Sequence, residues 1–249
     1  AFVLILTVVP QPDVRLSASR PTVRGSLRQY WDLLVGPGGT GAAAATYFLM
    51  YFGLGLLIVY LPQWLTTQFP LEVSLFGEPL TVFGLPLDFI ATLFLVGGIV
   101  SVIVSPRAGT LSDAIGRKPL ILASCLGLAV VTAALPFVVV ERWVAYPLYI
   151  AIMGFFSLRM APLQALLTAL VPGRQRGAFL SLTIAVGQIG TGVGAALGGV
   201  LYATYGYPAN TTASTVMILL MAAFVWAWLP EPTGQATDAP VRVPSEECT

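Results

Sequence analysis

Residues 87–140 have the sequence LDFIATLFLVGGIVSVIVSP, then RAGTLSDAIGRK, then PLILASCLGLAVVTAALPFVVV. Two apolar blocks therefore flank one short charged loop. About 20 predominantly apolar residues in a helix are enough to cross the hydrocarbon core of a bilayer. The stretch predicts two membrane-spanning helices joined by a tight turn.

The same pattern continues over most of the chain. Six blocks are long and apolar enough to span, at about 42–62, 87–106, 119–140, 144–171, 178–203 and 212–229. The chain is 57% hydrophobic and 9% charged, with a mean hydropathy of +0.86, whereas soluble domains carry about 25% charged residues. We therefore predict an all-α integral membrane protein, a six-helix bundle over residues 41–229. Pro136 and Pro162 are expected to kink their helices without breaking them.

The composition argues against several function classes. The chain contains no histidine, which removes the commonest metal ligand and the usual general base. Cys125 and Cys248 are too few and too far apart for a zinc site or a disulfide framework. No span combines a nucleophile with a base, and there is no basic patch for nucleic acid. We expect no enzyme activity, no metal or cofactor, and no nucleic-acid partner.

The distribution of Lys and Arg predicts the orientation, because cytoplasmic loops are enriched in these residues. The side that holds both termini is strongly basic, and the opposite side is mostly acidic. We therefore expect a multi-pass protein of the plasma membrane with both termini in the cytoplasm. The basic side holds Arg15, Arg20, Arg24, Arg28, Arg107, Arg117, Lys118, Arg174, Arg176 and Arg242, and the opposite side holds Glu72, Glu78, Glu141 and Arg142.

Four segments outside the spans have expected roles of their own. Residues 1–9 are apolar and are interpreted as the end of a preceding transmembrane helix, with an interfacial segment as the alternative. Residues 10–40 are expected to form a basic cytoplasmic linker, and residues 66–86, rich in Pro and Gly, an irregular lid at the outer interface. Residues 230–249 have the composition of a disordered cytoplasmic tail.

The loop between the second and third spans concentrates charge and glycine in Gly109–Lys118. Asp113 and Arg117 stand four residues apart, where a helical turn would pair them. The basic end could also bind carbonyls or carboxylates of neighbouring helices and so hold one conformation. The alternative, an ordinary positive-inside loop, is equally well supported by the spacing.

This loop resembles the signature loop of the major facilitator superfamily, whose members have twelve spans in two related six-span halves. Ala114 stands where the family usually has a basic residue. The six-span layout extends the resemblance over nearly the whole chain. The residues that carry it are Gly109, Leu111, Ser112, Asp113, Gly116, Arg117, Lys118 and Leu122.

The fifth span carries glycines at intervals of three and four residues. Such a row lines one helix face and lets another backbone approach closely. The run GTGVGAALGG is also similar to the antiporter motif of the same family, with Ala195 in place of its proline. Helix packing is the favoured interpretation, and a role in the direction of coupling is the alternative. The glycines are Gly187, Gly190, Gly194, Gly198 and Gly199.

Arg159 lies near the centre of the fourth block, roughly 18 Å from the cytoplasmic end at about 1.5 Å per residue. A mid-membrane arginine is a functional candidate, and LRMAPLQ is partly similar to the family's fourth-span arginine motif. It could bind an anionic group of the solute, pair with a carboxylate of the other half, or bind helix carbonyls. Other candidate cavity residues are Tyr47, Tyr51, Gln164 and Gln188.

Two further observations bear on those candidates. No Asp or Glu lies inside a predicted span except Asp88, at the outer edge of the second, so a proton-coupling carboxylate is either missing from this chain or is Asp88. The aromatic residues have an alternative as an interfacial belt. That belt would include Trp64, Trp143, Trp226 and Trp228.

The resemblance implies secondary active transport of a small organic solute by alternating access, with efflux of a drug or metabolite as one form. Its expected partners are the lipid bilayer, the solute, protons as a candidate coupling ion, and the other six-helix half. The expected position is the C-terminal half. The alternative is a non-transporting membrane receptor or scaffold that keeps the fold.

Overall fold

The computed structural model describes residues 40–69, 74–75, 78–79, 81–82, 85–86, 88–169, 171 and 175–228. The predicted preceding helix at 1–9, nearly all of the linker at 10–40 and the tail at 230–249 lie outside these residues. The helices are α1 (Thr40–Ile58), α2 (Leu61–Gln68), α3 (Phe89–Ile115), α4 (Arg117–Val138), α5 (Arg142–Ala169), α6 (Arg176–Tyr205) and α7 (Tyr207–Trp228).

Within the described residues, six helical segments are long and apolar enough to cross a membrane. The first of them, Thr40–Gln68, combines α1 and α2. The prediction of an all-α membrane bundle with six spans is confirmed. α4 and α5 continue through Pro136 and Pro162, as membrane helices can when neighbouring helices satisfy the freed backbone groups.

The first span is interrupted at Val59 and Tyr60, which the apolar pattern did not indicate. Pro62 lies in the first turn of α2, where its missing N–H costs nothing to α2. Because proline has no N–H, Pro62 cannot donate the backbone hydrogen bond that would continue α1. The C-terminal end of the span is therefore a separate short helix.

The segment expected to be an irregular lid has some regular structure. α2 continues to Gln68, beyond the start of that segment. The described residues after it include two antiparallel hairpins of two-residue strands. These are β1 (Ser74–Leu75) with β2 (Glu78–Pro79), and β3 (Thr81–Val82) with β4 (Leu85–Pro86).

The second span extends much further than its apolar block. The block ends at Pro106, but α3 continues to Ile115, so most of the predicted charged loop is helix. Arg107 Nη1 donates to the Ile103 carbonyl at 2.9 Å, in the turn next to the proline. The reversal is made by Gly116 alone, whose φ of 102° favours glycine.

The helices pack in the spatial order α6, α1, α7, α4, α5 and α3. α1 contacts α6 and α7, α4 contacts α7 and α5, and α5 contacts α3. The two ends of this series are the least covered spans, with 17% of the apolar window buried in α3 and 22% in α6. The buried core therefore lies among α1, α4, α5 and α7.

Candidate functional site

The signature loop forms a sharp reversal between α3 and α4. Asp113 is exposed in the last turn of α3, and Arg117 begins α4. Because Gly116 separates them, the expected helical pairing does not form, and no ion pair joins Asp113 to another described residue. Arg117 Nη1 instead donates to the Ala165 carbonyl of α5 at 3.3 Å. The arginine thus links the N-terminal end of α4 to the C-terminal part of α5.

The remaining signature residues divide between buried and exposed positions. Ser112 is buried, and its hydroxyl donates to the Gly109 carbonyl at 2.7 Å. A Cβ at Gly109 would meet nothing within 4 Å. Leu111 is 38% exposed, and Lys118 is half-buried. The outer face of this turn is therefore open to another surface.

The glycine row of α6 lies directly on α1. A Cβ at Gly190 would lie 2.6 Å from the Phe48 carbonyl oxygen, and one at Gly187 would lie 2.8 Å from the Tyr51 ring. A Cβ at Gly194 would collide with the Phe52 backbone. The contact is reciprocal, because Gly55 of α1 lies against the backbone of Thr191 in α6. Gly55 was not among the glycines predicted from the sequence.

Tyr60 extends this contact towards the C-terminal end of α6. Its ring covers Gly198 and Gly199, and its hydroxyl donates to the Ala195 carbonyl at 2.8 Å. Close packing of the two helices thus accounts for the position of all five glycines. Their effect on coupling direction stays a prediction.

Arg159 is 1% exposed in the core of the bundle. Its Nη1 lies 3.9 Å from Cys125 Sγ of α4, and its Cζ lies 5.1 Å from the centroid of the Phe156 ring. Its Nε has no hydrogen-bond partner, and no carboxylate pairs with it among the described residues. Cys125 was not expected here, since nothing in the sequence indicates which helices α5 contacts.

Three of the other candidate cavity residues lie near Arg159 or near one another. Tyr47 and Tyr51 stack one helical turn apart on α1, with ring centroids 5.9 Å apart, and Tyr51 is close enough to interact electrostatically with Arg159. The Tyr47 hydroxyl is buried without a hydrogen bond, although the side chain of Gln164, an exposed residue, lies beside it. Gln188 is exposed on α6 and is not part of this cluster. Tyr47, Tyr51, Arg159 and Gln164 are called the core cluster below.

A row of polar residues on α7 holds α1 in place, and the sequence analysis missed this role. Tyr207, Asn210 and Ser214 are spaced by three and four residues, so they share one helix face. Polar side chains in a span commonly bond across to another helix, and their spacing was the available signal. They donate to the carbonyls of Leu57 at 3.1 Å, Leu56 at 3.2 Å and Gly53 at 2.8 Å, respectively.

The carbonyls of Leu56 and Leu57 lie in the last turn of α1, where a helix leaves four acceptors unsatisfied. Asn210 and Tyr207 satisfy them where the first span is interrupted. Asn210 also donates to the Gly198 carbonyl at 3.1 Å. Because Asn210 is fully buried, it serves packing, and the sequon-like Asn-Thr-Thr at this position is not an exposed acceptor.

Trp64 departs from the expected interfacial belt. It is 8% exposed and stacks on Tyr207, with ring centroids 4.6 Å apart. Trp143, Trp226 and Trp228 are more than half exposed near helix ends, as a belt requires.

Comparison with known proteins agrees with this architecture. No curated protein matches the chain at a significant level. The family model described as Major Facilitator Superfamily matches residues 43–244. That match covers the signature turn, the glycine row, the core cluster and all of the six spans except the first three residues of the first one. The chain therefore belongs to the major facilitator superfamily, a family of membrane transporters.

Proposed function

We propose that the protein moves a small organic solute across the plasma membrane by secondary active transport. In alternating access, two helical bundles rock about a site near the midplane of the bilayer. The observation that carries the proposal is the core cluster, in which Arg159 and Tyr47 are buried among the spans, Tyr51 is half-buried and Gln164 is exposed. Polar and ionisable residues inside a membrane are costly and commonly mark a solute pathway.

The described bundle is proposed to be the C-terminal half of the transporter, with a related six-helix half as its partner. α3 and α6 have the least buried faces and lie at opposite ends of the helix series. Their exposed apolar residues, such as Val102 at 75% and Val200 at 62%, suit either lipid or a second bundle. The basic segment at residues 10–40 suits a cytoplasmic linker between two halves.

The signature turn is proposed to stabilise one state of the cytoplasmic gate. Arg117 links α4 to α5 through the Ala165 carbonyl, so these two helix ends would move together. Asp113 is exposed on the same turn and is available to the other bundle. Contact of this carboxylate with the other half would then be made in one state and lost in the other.

Protons are the coupling ion to test first, and efflux is the direction to test first. The described spans offer few carboxylates for proton exchange. Asp88 caps the first turn of α3, accepting from the Ile90 N–H at 3.2 Å, and Asp113 lies at the opposite end of the same helix. A coupling carboxylate near the midplane would therefore have to come from the partner half.

Solute flux separates this proposal from a receptor or scaffold with the same fold. Membrane vesicles containing the full-length protein are loaded with a panel of labelled small solutes under an imposed proton gradient. Transport predicts flux of at least one solute that stops when an ionophore collapses the gradient. A scaffold would give the same flux as vesicles without the protein, even though the protein is correctly folded.

A further inference from the structure

We propose that the transported solute carries an anionic group, such as a carboxylate or phosphate, and that Arg159 binds it with help from the Tyr47 and Tyr51 hydroxyls. This inference rests on the proposed transport function and adds the chemical class of the solute. Its basis is the buried positive charge of Arg159, whose neighbours Cys125 and Phe156 do not neutralise it.

The first step concerns the partners of Arg159. A guanidinium has five N–H donors and remains charged in proteins. Here one donor faces the Cys125 sulfur at 3.9 Å, and Phe156 covers the group. A thiol is a weak acceptor, and leaving a buried charge without a counter-ion is strongly destabilising. An oxyanion would neutralise the charge and accept a hydrogen bond from the unpaired Nε.

The second step concerns the hydroxyl groups nearby. The Tyr47 hydroxyl is fully buried without a partner, and Tyr51, one turn along the same face of α1, lies within electrostatic range of Arg159. A carboxylate or phosphate only accepts hydrogen bonds, and bonds to an ionised acceptor are about twice as strong as neutral ones. Two hydroxyls and a guanidinium together therefore favour an anion over a neutral solute.

The third step concerns the charge of the surroundings. The acidic residues nearest to the spans are Asp88, Asp113 and Glu141, and all three lie at the ends of helices or between them. None of the described spans places a carboxylate near Arg159. The field in the core is therefore positive, and a cationic solute would be repelled.

The structure also has space beside the guanidinium. A small cavity lies where α1, α4, α5 and α7 meet, and its lining includes Arg159, Phe156, Gly53, Leu128 and Ser214. It has room for about one water molecule, and neither Tyr47 nor Tyr51 lines it, so the site must widen to admit an anionic group. α1 and α5 are not among the closely packed helix pairs. Separation of these two helices would give the anionic group access.

Thermal unfolding of the full-length protein tests this inference. The protein is placed in nanodiscs of phosphatidylcholine, and its Tm is measured at constant ionic strength. The probes are benzoate against benzamide, succinate against succinamide, and inorganic phosphate. At least one anion is expected to raise the Tm in a saturable way, while its neutral amide does not.

Two variants assign the effect to the core cluster. Arg159→Gln should abolish the anion-dependent rise in Tm. Tyr47→Phe removes a hydroxyl that has no partner in the fold, so it should keep the basal Tm and reduce the apparent affinity about tenfold, equivalent to about 1.4 kcal/mol. Arg107→Gln is the control, because this exposed arginine bonds only within its own helix.

Several outcomes would overturn the inference: equal stabilisation by the amides, no stabilisation by any anion, an unchanged rise in Tyr47→Phe, or stabilisation only when phosphatidylglycerol is added. The last outcome would show that Arg159 binds a lipid headgroup instead of a solute. Flux of a neutral solute in the vesicle assay would then leave the proposed transport function standing. Absence of all flux would contradict the transport function itself.

Discussion

Gly190 of α6 lies directly against the backbone of Phe48 in α1, so that a Cβ at residue 190 would lie 2.6 Å from the Phe48 carbonyl oxygen. Contacts this close recur along the row, at Gly194 and in the reverse direction at Gly55. Helices in lipid associate by packing rather than by the hydrophobic effect, which makes such contacts decisive. α1 and α6 should therefore move as one rigid unit during transport.

Substituting Gly190 should weaken this unit. Gly190→Ala places a methyl group on a backbone oxygen that cannot rotate away, and overpacking of this kind costs about 1–3 kcal/mol. The Tm of the purified protein in detergent, followed by a thiol-reactive fluorophore, should fall by several degrees. Gly192→Ala on the same helix is the matched control, since a Cβ there meets nothing within 4 Å. An equal fall in both variants would argue against close packing as the cause.

The α7 polar row makes a second, separable contribution. Asn210→Ala removes the hydrogen bonds to the Leu56 and Gly198 carbonyls, and interhelical bonds in membranes are worth about 1 kcal/mol. We expect a lower unfolding temperature. Thr212→Ala is the control, because its hydroxyl bonds only to Pro208 of its own helix. A stable Asn210→Ala protein would show that the row does not hold α1.

Asp113→Asn tests the signature turn. The side chain is exposed and pairs with no other described residue, so its loss should not affect folding or membrane insertion. We expect transport to be abolished, because the carboxylate would no longer hold the cytoplasmic gate. Ala114→Gln, also exposed on this turn, should transport normally. Vesicle flux measures transport, and surface expression measures folding and membrane insertion. Normal flux by Asp113→Asn would refute the gate proposal.

Cysteine labelling tests the orientation. With Cys248 replaced by Ser, and Cys125 buried, introduced thiols can be assigned to one face of the membrane. Ala114→Cys should react with an impermeant maleimide only after the cell is opened. Glu141→Cys, exposed between α4 and α5, should react in intact cells. The reverse pattern would invert the topology expected from the basic residues.

The sequence predicted the features that depend on local composition. The number of spans follows from apolar length, because the bilayer fixes the length that a helix needs. The location of Arg159 within a span followed from its position in the fourth block. The spacing of Gly187, Gly190, Gly194 and Gly198 marked a packing face.

Features that depend on tertiary contacts were not predictable. The partner of the glycine face, α1, and the contact of Cys125 with Arg159 both require knowledge of which helices meet. The apolar block of the second span ends at Pro106, but α3 continues through this proline to Ile115. A helix that leaves the apolar core can continue with polar residues, so hydropathy does not mark its end. The burial of Trp64 depends in the same way on Tyr207 of another helix.

Solute counterflow most directly measures the central claim, that one solute site is reached alternately from the two sides of the membrane. Proteoliposomes of the full-length protein are loaded with an excess of an unlabelled solute identified by the flux assay. They are then diluted into a trace of the labelled solute without any ion gradient. Alternating access predicts a transient accumulation of label above equilibrium that is missing from protein-free vesicles. Equilibration without this overshoot, in vesicles whose protein is folded, would contradict transport by alternating access.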